Sequence, residues 1–190
     1  MGRIVVSDNV SLDGVVQDPT GEEGFERGGW FGHITDREQV ATLALDEALG
    51  AEALLLGRRS YEFFAARWPK RSGALADRLN SLPKYVLSST LDDPAWNNSR
   101  IVNGDVVDEV SKLKQMLDGD IVVLASFQIV RTLLEHDLVD ELRLKILPVV
   151  LGAGERLFGE TSGSRPVRLV DRQTLDDDVA YLTYERSRGS

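Results

Sequence analysis

Leu54-Leu-Leu-Gly-Arg-Arg-Ser-Tyr61 decides the fold. An apolar run reaches a glycine, then two arginines and a hydroxyl, where a helix is expected to open. A strand that ends this way directs backbone N–H groups, the positive end of a helix dipole and a guanidinium at one place, which is the chemistry of a phosphate site. Lys84-Tyr-Val-Leu-Ser-Ser-Thr90 repeats the pattern further along. Two strand ends with phosphate-type side chains point to a dinucleotide rather than a lone anion.

Around these two segments the chain alternates strands and helices. Arg3–Ser7 reads as a buried β-branched strand, followed by the turn Ser11-Leu-Asp-Gly14 and a glycine-rich loop over 17–35. Thr35 and Glu38 have the spacing of a capping box, opening a helix with Val40, Leu43, Ala44 and Ala48 on one face and a stop at Gly50. Ala53–Leu56 is the next strand, then a helix from Ser60 to Arg67 ahead of Pro69, a helix over 74–81 and a strand Lys84–Leu87. A short strand at Ile101–Val102 precedes a helix capped by Asp105 with Val106, Val110, Leu113 and Leu117 on its stripe. Strand Ile121–Leu124, a helix facing inward through Ile129, Val130, Leu133 and Leu134, and a long strand Glu141–Val150 follow. Segments 167–174 and 179–186, joined at Asp176-Asp-Asp178, read as an antiparallel hairpin. The fold class is therefore α/β: a mostly parallel central sheet flanked by helices, with a C-terminal antiparallel hairpin, in a single domain over 1–190. Ligands of such sheets sit at the carboxyl ends of the strands.

Bulk properties narrow the function. The 190 residues carry a net charge of −9, which argues against nucleic acid or an anionic membrane as partner. An anionic cofactor needs local cations in that field, and Arg58 and Arg59 supply them. With no cysteine, disulfides, thiol nucleophiles and thiolate metal sites are excluded; His33 and His136 lack ligand spacing, so no metal site is expected. The N-terminus has no signal-peptide apolar core and no run is long enough to span a bilayer, which reads as a cytoplasmic protein.

Each chemical candidate has two readings. Gly57 lets the backbone approach a ligand, Arg58 pairs a phosphate and Ser60 donates to a pyrophosphate, or the segment is a plain strand-to-helix turn. Leu87-Ser88-Ser89 holds the phosphate of an adenosine ribose, or is loop polarity after a strand. The backbone of Ala125, Ser126, Phe127 and Gln128 lies under a pyrophosphate, or forms an ordinary junction, a reading that bulky Phe127 favours. Asp13 is the catalytic candidate, binding a polar group of the substrate or steering a proton, or it bonds its own turn. Trp30 and Phe31 cover a small-molecule substrate, or pack in the core, as expected for Trp68 and Trp96. Asp140 reads as a turn or cap and Glu141 as surface or interface, because neighbours on a strand face opposite ways.

In this order the segments resemble the dihydrofolate-reductase-like superfamily. They are more closely similar to bacterial stand-alone proteins related to the reductase domain of the bifunctional riboflavin-biosynthesis deaminase/reductase. The resemblance rests on Ser11-Leu-Asp-Gly14, Leu56-Gly-Arg-Arg-Ser-Tyr-Glu62, Leu82-Pro-Lys-Tyr-Val-Leu-Ser-Ser-Thr-Leu91 and Trp96-Asn-Asn98 leading to Gly104-Asp105. It continues through Leu133-Leu-Glu-His-Asp-Leu-Val-Asp-Glu-Leu142, Pro148-Val-Val-Leu-Gly-Ala-Gly154 and Leu157-Phe158, and so covers nearly the whole chain.

The resemblance implies NADPH as hydride donor, a homodimer, and reduction of a C=N or C=O on a small, heterocyclic, pterin- or aminopyrimidine-like substrate. It places Arg58 with Ser88 and Ser89 at the 2′-phosphate, Ser60 at the pyrophosphate with the helix after Leu124 beneath it, and Asp13 beside the nicotinamide. Three features depart from the pattern. Where the family shows Gly-Gly or Gly-Ser-Gly, this chain reads Ala125-Ser126-Phe127. On the helix before the glycine-arginine motif, the place where dihydrofolate reductases carry a carboxylate corresponds to the neighbourhood of Ala41, so dihydrofolate itself is not the expected substrate. No zinc deaminase half is present, so the riboflavin pathway role is not implied. The alternative is a non-catalytic dimeric protein that keeps the fold and a nucleotide site.

Overall fold

Runs of Val, Ile and Leu that are too continuous for a half-exposed sheet form strands covered on both faces. The computed structural model describes residues 1–34, 37–176 and 178–187. Its elements in chain order are β1 (Arg3–Ser11), α1 (Glu38–Gly50), β2 (Ala51–Gly57), α2 (Arg58–Ala65), α3 (Ala74–Ser81), β3 (Lys84–Leu87), β4 (Ser99–Val102), α4 (Val106–Met116), β5 (Asp120–Leu124), α5 (Phe127–Glu135), β6 (Glu141–Leu147), β7 (Val167–Leu175) and β8 (Val179–Arg186). They build one eight-stranded sheet in the order β4-β3-β2-β5-β1-β6-β8-β7. Pairing is parallel from β4 to β6 and antiparallel through β8 and β7. This is the α/β arrangement expected, with β7–β8 as the antiparallel hairpin.

Alternate residues of the central strands feed two cores. Ile4, Val6, Leu55, Val123 and Leu144 pack with Val110 and Leu113 of α4 and Val130 and Leu133 of α5. Val5, Leu54, Leu56 and Val122 pack on the other side with Ala48, Tyr61 and Leu79 of α1, α2 and α3. Each such aliphatic side chain contributes about 1.5–3 kcal/mol on burial. Among the described residues no helix is long and apolar enough to cross a membrane.

Several boundaries differ from the expectation. β1 runs on from Ser7 to Ser11, because β6 pairs with it register by register as far as Ser11↔Leu147. β6 stops at Leu147 rather than Val150, since Pro148 has no N–H to give the ladder. α2 opens at Arg58 on an extended Gly57, which places Ser60 inside its first turn rather than at its cap. The capping box drawn for Thr35 lies outside the described residues. Two amides in the first turn of α1 are held by the far hairpin: Gln39 and Val40 donate to the two carboxylate oxygens of Asp176, each at 3.0 Å. A carboxylate at a helix N-terminus satisfies free N–H groups and meets the positive dipole end. Glu141 is buried rather than on the surface, paired with Arg3 and Arg143.

Candidate functional site

The parallel sheet reverses its winding between β5 and β1. The chain leaves β1 toward β2 on one side, and leaves β5 toward β6 on the other. A crevice forms outside the carboxyl ends of strands at such a point. Here it is a cavity of about 300 Å³ with three kinds of lining. Its mouth carries Arg59, Ser60, Ala125, Ser126 and Phe127, its floor Ser7, Asp8, Asn9, Glu47 and Lys145, and its apolar wall includes Phe63, Phe64 and Trp68.

The mouth is two strand-to-helix junctions bonded to each other. Ser126 N–H donates to Ser60 Oγ at 3.0 Å, and Gly57 N–H donates to Ser126 Oγ at 3.0 Å. A Cβ on Gly57 would stand 3.0 Å from Ile129 Cδ1, so glycine there lets α5 close against β2. Ala125 and Ser126 have φ of 50° and 58°, the left-handed region that glycine enters freely. The loop therefore keeps a glycine-type turn with side chains on it. Neither α2 nor α5 has a side-chain cap on its first amides, so both helices offer N–H groups at the mouth. Gln128 is exposed on the first turn of α5.

Arg58 and the end of β3 come together on the outer flank of this mouth. The guanidinium donates to Glu62 Oε1 at 2.9 Å and to Thr90 Oγ1. Ser88 Oγ accepts from the N–H groups of Thr90 and Leu91, which curls the segment after Leu87. Leu87 is buried and Ser89 is exposed. Arg59, not Arg58, lines the cavity, 3.7 Å from Glu23.

The floor is a polar network that the sequence did not disclose. Lys145 Nζ donates to Ser7 Oγ at 2.8 Å and to Glu47 Oε2 at 3.3 Å, while Ser7 and Tyr181 donate to Glu47 at 2.8 and 3.0 Å. Burial and the Glu47 charge push the Tyr181 hydroxyl well above its usual range, so it stays a donor. Asp8 is different. Its Oδ1 accepts from Asn9 N–H, but its Oδ2 is shielded from solvent and has no partner. Burial pushes this carboxyl up to about 7, against the opposing pull of the Lys145 charge and the Asn9 N–H. Asn9 Oδ1 is likewise buried and unpartnered.

The remaining candidates stand apart from the cavity lining. Asp13 accepts from Ser11 Oγ at 2.7 Å, from Leu151 N–H at 3.1 Å and from Gly152 N–H at 2.8 Å, tying its turn to the loop after β6. These bonds, the Ser11 hydroxyl foremost, hold its carboxyl down at about 2, so it has no proton to give at neutral pH. Trp30 is 1% exposed, packed with Ile34, Val40, Leu147 and Tyr181, and its indole donates to Gln17 O at 2.8 Å. Phe31 lies under the Arg37 guanidinium. A second cavity of about 450 Å³ lies beside the end of α5, and its carboxylates are paired with cations. Arg165 faces Glu135 and Asp137, Asp140 holds Lys114, and Glu141 holds Arg3 and Arg143.

The RibD C-terminal domain family matches residues 3–181. The uncharacterized protein YyaP of Bacillus subtilis strain 168 is 29% identical over 187 residues, which cover 96% of this chain and 94% of that protein. A crystal structure of a Shewanella sp. PV-4 protein named for riboflavin biosynthesis superposes with a TM-score of 0.78 at 22% identity, covering 98% of this chain and 99% of that one. Dihydrofolate reductase from Enterococcus faecalis, complexed with NADP(H), gives 0.65 at 16% identity over 98% of this chain and 97% of its own. These structural likenesses establish the fold as dihydrofolate-reductase-like.

Proposed function

Because the chain belongs to the RibD C-terminal domain family, we propose that it is an NADPH-dependent oxidoreductase acting on a C=N or C=O of a small, heterocyclic, pterin- or aminopyrimidine-like substrate. The observation that carries this reading is the pair of uncapped helices, α2 and α5, locked together by Ser60 and Ser126 at the mouth of a cavity with a polar floor. The residues fit the cofactor. The free amides of the two helices and Ser60 suit a pyrophosphate. Arg58, beside Thr90 and Ser88, suits a 2′-phosphate further out. When bound, NADPH supplies the hydride. The chain's own part is to orient the two reactants, to exclude water with Phe63, Phe64 and Trp68, and to offer hydrogen bonds from the floor to a polar ring.

Glu47 changes the expectation about the substrate grip. Ala41 stands where a carboxylate is looked for, but the same helix delivers Glu47 to the floor, on the stripe of Val40, Leu43 and Ala44. Phe127 at the cavity mouth favours a second reading, a non-catalytic dimeric protein that keeps the fold. We also propose a homodimer formed through β7, an edge strand with Val167, Leu169 and Val170 exposed. Titration with NADPH and, separately, with NADH tests the function, with Trp68 in the cavity wall as fluorescent reporter. The expected result is NADPH binding with a clear preference over NADH. Absence of binding to either overturns the cofactor reading, and binding without oxidation by any carbonyl or imine acceptor selects the second one.

A further inference from the structure

Asp8 is the one carboxyl on the cavity floor with an unanswered oxygen among the described residues. Its place follows from register. Ser7 pairs with Leu124, the last residue of β5, so Asp8 lies beside Ala125, where the chain turns into α5. That puts a carboxyl next to the mouth where the amides of α2 and α5 converge.

The charges around it do not balance when it ionises. Lys145 on β6 is the ammonium of the floor, and Glu47 on α1 already accepts from it, with Ser7 and Tyr181 completing the set around Glu47. The other ionisable groups lining the cavity are Arg59 on α2, Asp18 and Glu23 in the loop after β1, and Glu155 after β6. Arg59 lies 3.7 Å from Glu23, Asp18 is occupied by the amides of Glu23 and Phe25, and Glu155 pairs with Arg131. The junction over Ala125–Gln128 contributes no ionisable side chain. An ionised Asp8 therefore adds an uncompensated negative charge beside a site for a polyanion. A protonated Asp8 removes that charge.

We propose that Asp8 takes part in cofactor binding as a neutral carboxylic acid, so that above neutral pH the cavity takes up one proton with each dinucleotide it holds. The inference rests on the NADPH reading and adds to it a binding residue on β1 and a proton linkage. The carboxyl already titrates near 7 in the free protein, so the linkage falls in an accessible range. A bound anion raises that value further.

The test is calorimetric titration with NADPH between pH 7 and 9, in two buffers of different ionisation heat, on the wild type and on Asp8→Asn. That range avoids the 2′-phosphate, whose own second ionisation is near about 6. For the wild type the dissociation constant is expected to weaken by up to about tenfold per pH unit, the limit for one linked proton. The buffer comparison is expected to show close to one proton taken up at pH 8.5. The uncharged isostere Asp8→Asn is expected to bind with no slope and no uptake, at an affinity near that of the wild type at pH 7. Carboxyl carbon NMR of Asp8 in the wild type, with and without NADPH, reads the same shift without a variant. A flat wild-type profile with no proton uptake, or a slope that persists in Asp8→Asn, overturns the assignment while leaving the cofactor reading intact. Absence of NADPH binding at every pH overturns the cofactor reading and this inference with it.

Discussion

Ser60 and Ser126 bond the two phosphate-type junctions of the sheet into one unit: the Ser126 amide donates to Ser60 Oγ at 3.0 Å, and Ser126 Oγ accepts from the Gly57 amide at 3.0 Å. In the first of these bonds Ser60 Oγ is the acceptor, so its own proton stays available to a pyrophosphate. Ser60→Ala frees the Ser126 amide and removes one bond, for a loss of about 1 kcal/mol in stability. Urea unfolding measures that loss. NADPH titration of the same variant is expected to show weaker binding, and unchanged affinity would remove Ser60 from the anion site.

Ala125 supplies the companion test. Its φ of 50° is a conformation that costs a side chain about 1–2 kcal/mol and glycine nothing. Glycine gives back about 0.5–1 kcal/mol through its freer unfolded chain. Ala125→Gly is therefore expected to be neutral to stabilising by about 1 kcal/mol, and to bind NADPH more tightly once the methyl group has left the mouth. A melting temperature lower than that of the wild type would show that the methyl group packs favourably there.

Arg58 and Arg59 separate by position. Arg58 reaches Thr90 on the outer flank, whereas Arg59 lines the mouth. Arg58→Ala is expected to cost NADPH about 1.5–3 kcal/mol, as for a charge-assisted bond, and NADH much less. Arg59→Ala is expected to weaken both cofactors alike, through the lost field at the mouth. Equal loss of NADPH and NADH on Arg58→Ala would take the 2′-phosphate away from Arg58.

The fold was legible where burial on both faces writes a continuous apolar run. β2, β3 and α3 fall on or within three residues of the expected bounds, and so does the β7–β8 hairpin. The outer half of β1 was not, because Asp8 and Asn9 look like the polar end of a strand and only β6, far along the chain, shows that pairing continues. The mouth of the site was legible for the same local reason: glycine, arginine and serine at strand ends are neighbours in sequence. The floor was not. Glu47 and Lys145 are 98 residues apart, and each looks like a solvated charge among apolar neighbours. The signal they did leave is a glutamate on the apolar stripe of α1 and a lysine between Leu144 and Ile146. Asp13 drew attention as a turn carboxylate, and it serves as a tether for the loop after β6.

Asp8 and Asp13 give opposite stability slopes with pH. Asp8 titrates near 7 in the folded protein and near 3.8 when exposed, so its folded form keeps a proton that the unfolded chain releases. Its contribution is present below about pH 4 and is lost as pH rises through 7. Asp13, held at about 2, contributes above its ordinary value of 3.8, and that contribution is lost as pH falls toward 2. Melting curves from pH 3 to 8 are expected to show Asp8→Asn gaining on the wild type as pH rises to about 7 and level beyond it. Asp13→Asn is expected to lose most at neutral pH and to approach the wild type at the acid end. Parallel curves for wild type and Asp8→Asn would mean that Asp8 ionises in the ordinary carboxylate range.

Lys84 anchors the entry to β3. Its side chain is fully buried, and the ammonium donates to the carbonyls of Asn80, Leu82 and Asn97 at 3.1, 2.7 and 2.9 Å, with Trp96 4.3 Å away as a ring partner. These bonds gather the end of α3, the entry to β3 and the segment before β4 at one point. Lys84→Met keeps the apolar stem and strands the carbonyls, at a cost of about 3 kcal/mol, given about 1–3 kcal/mol for each buried acceptor left unsatisfied and partial relief by water. The Ser88 turn at the other end of β3 has its own bonds to Thr90 and Leu91, so NADPH affinity of the folded fraction is expected to hold while the urea midpoint falls. If the midpoint stayed within experimental error of the wild type, the three carbonyls would be finding water without loss, and Lys84 would be holding nothing together.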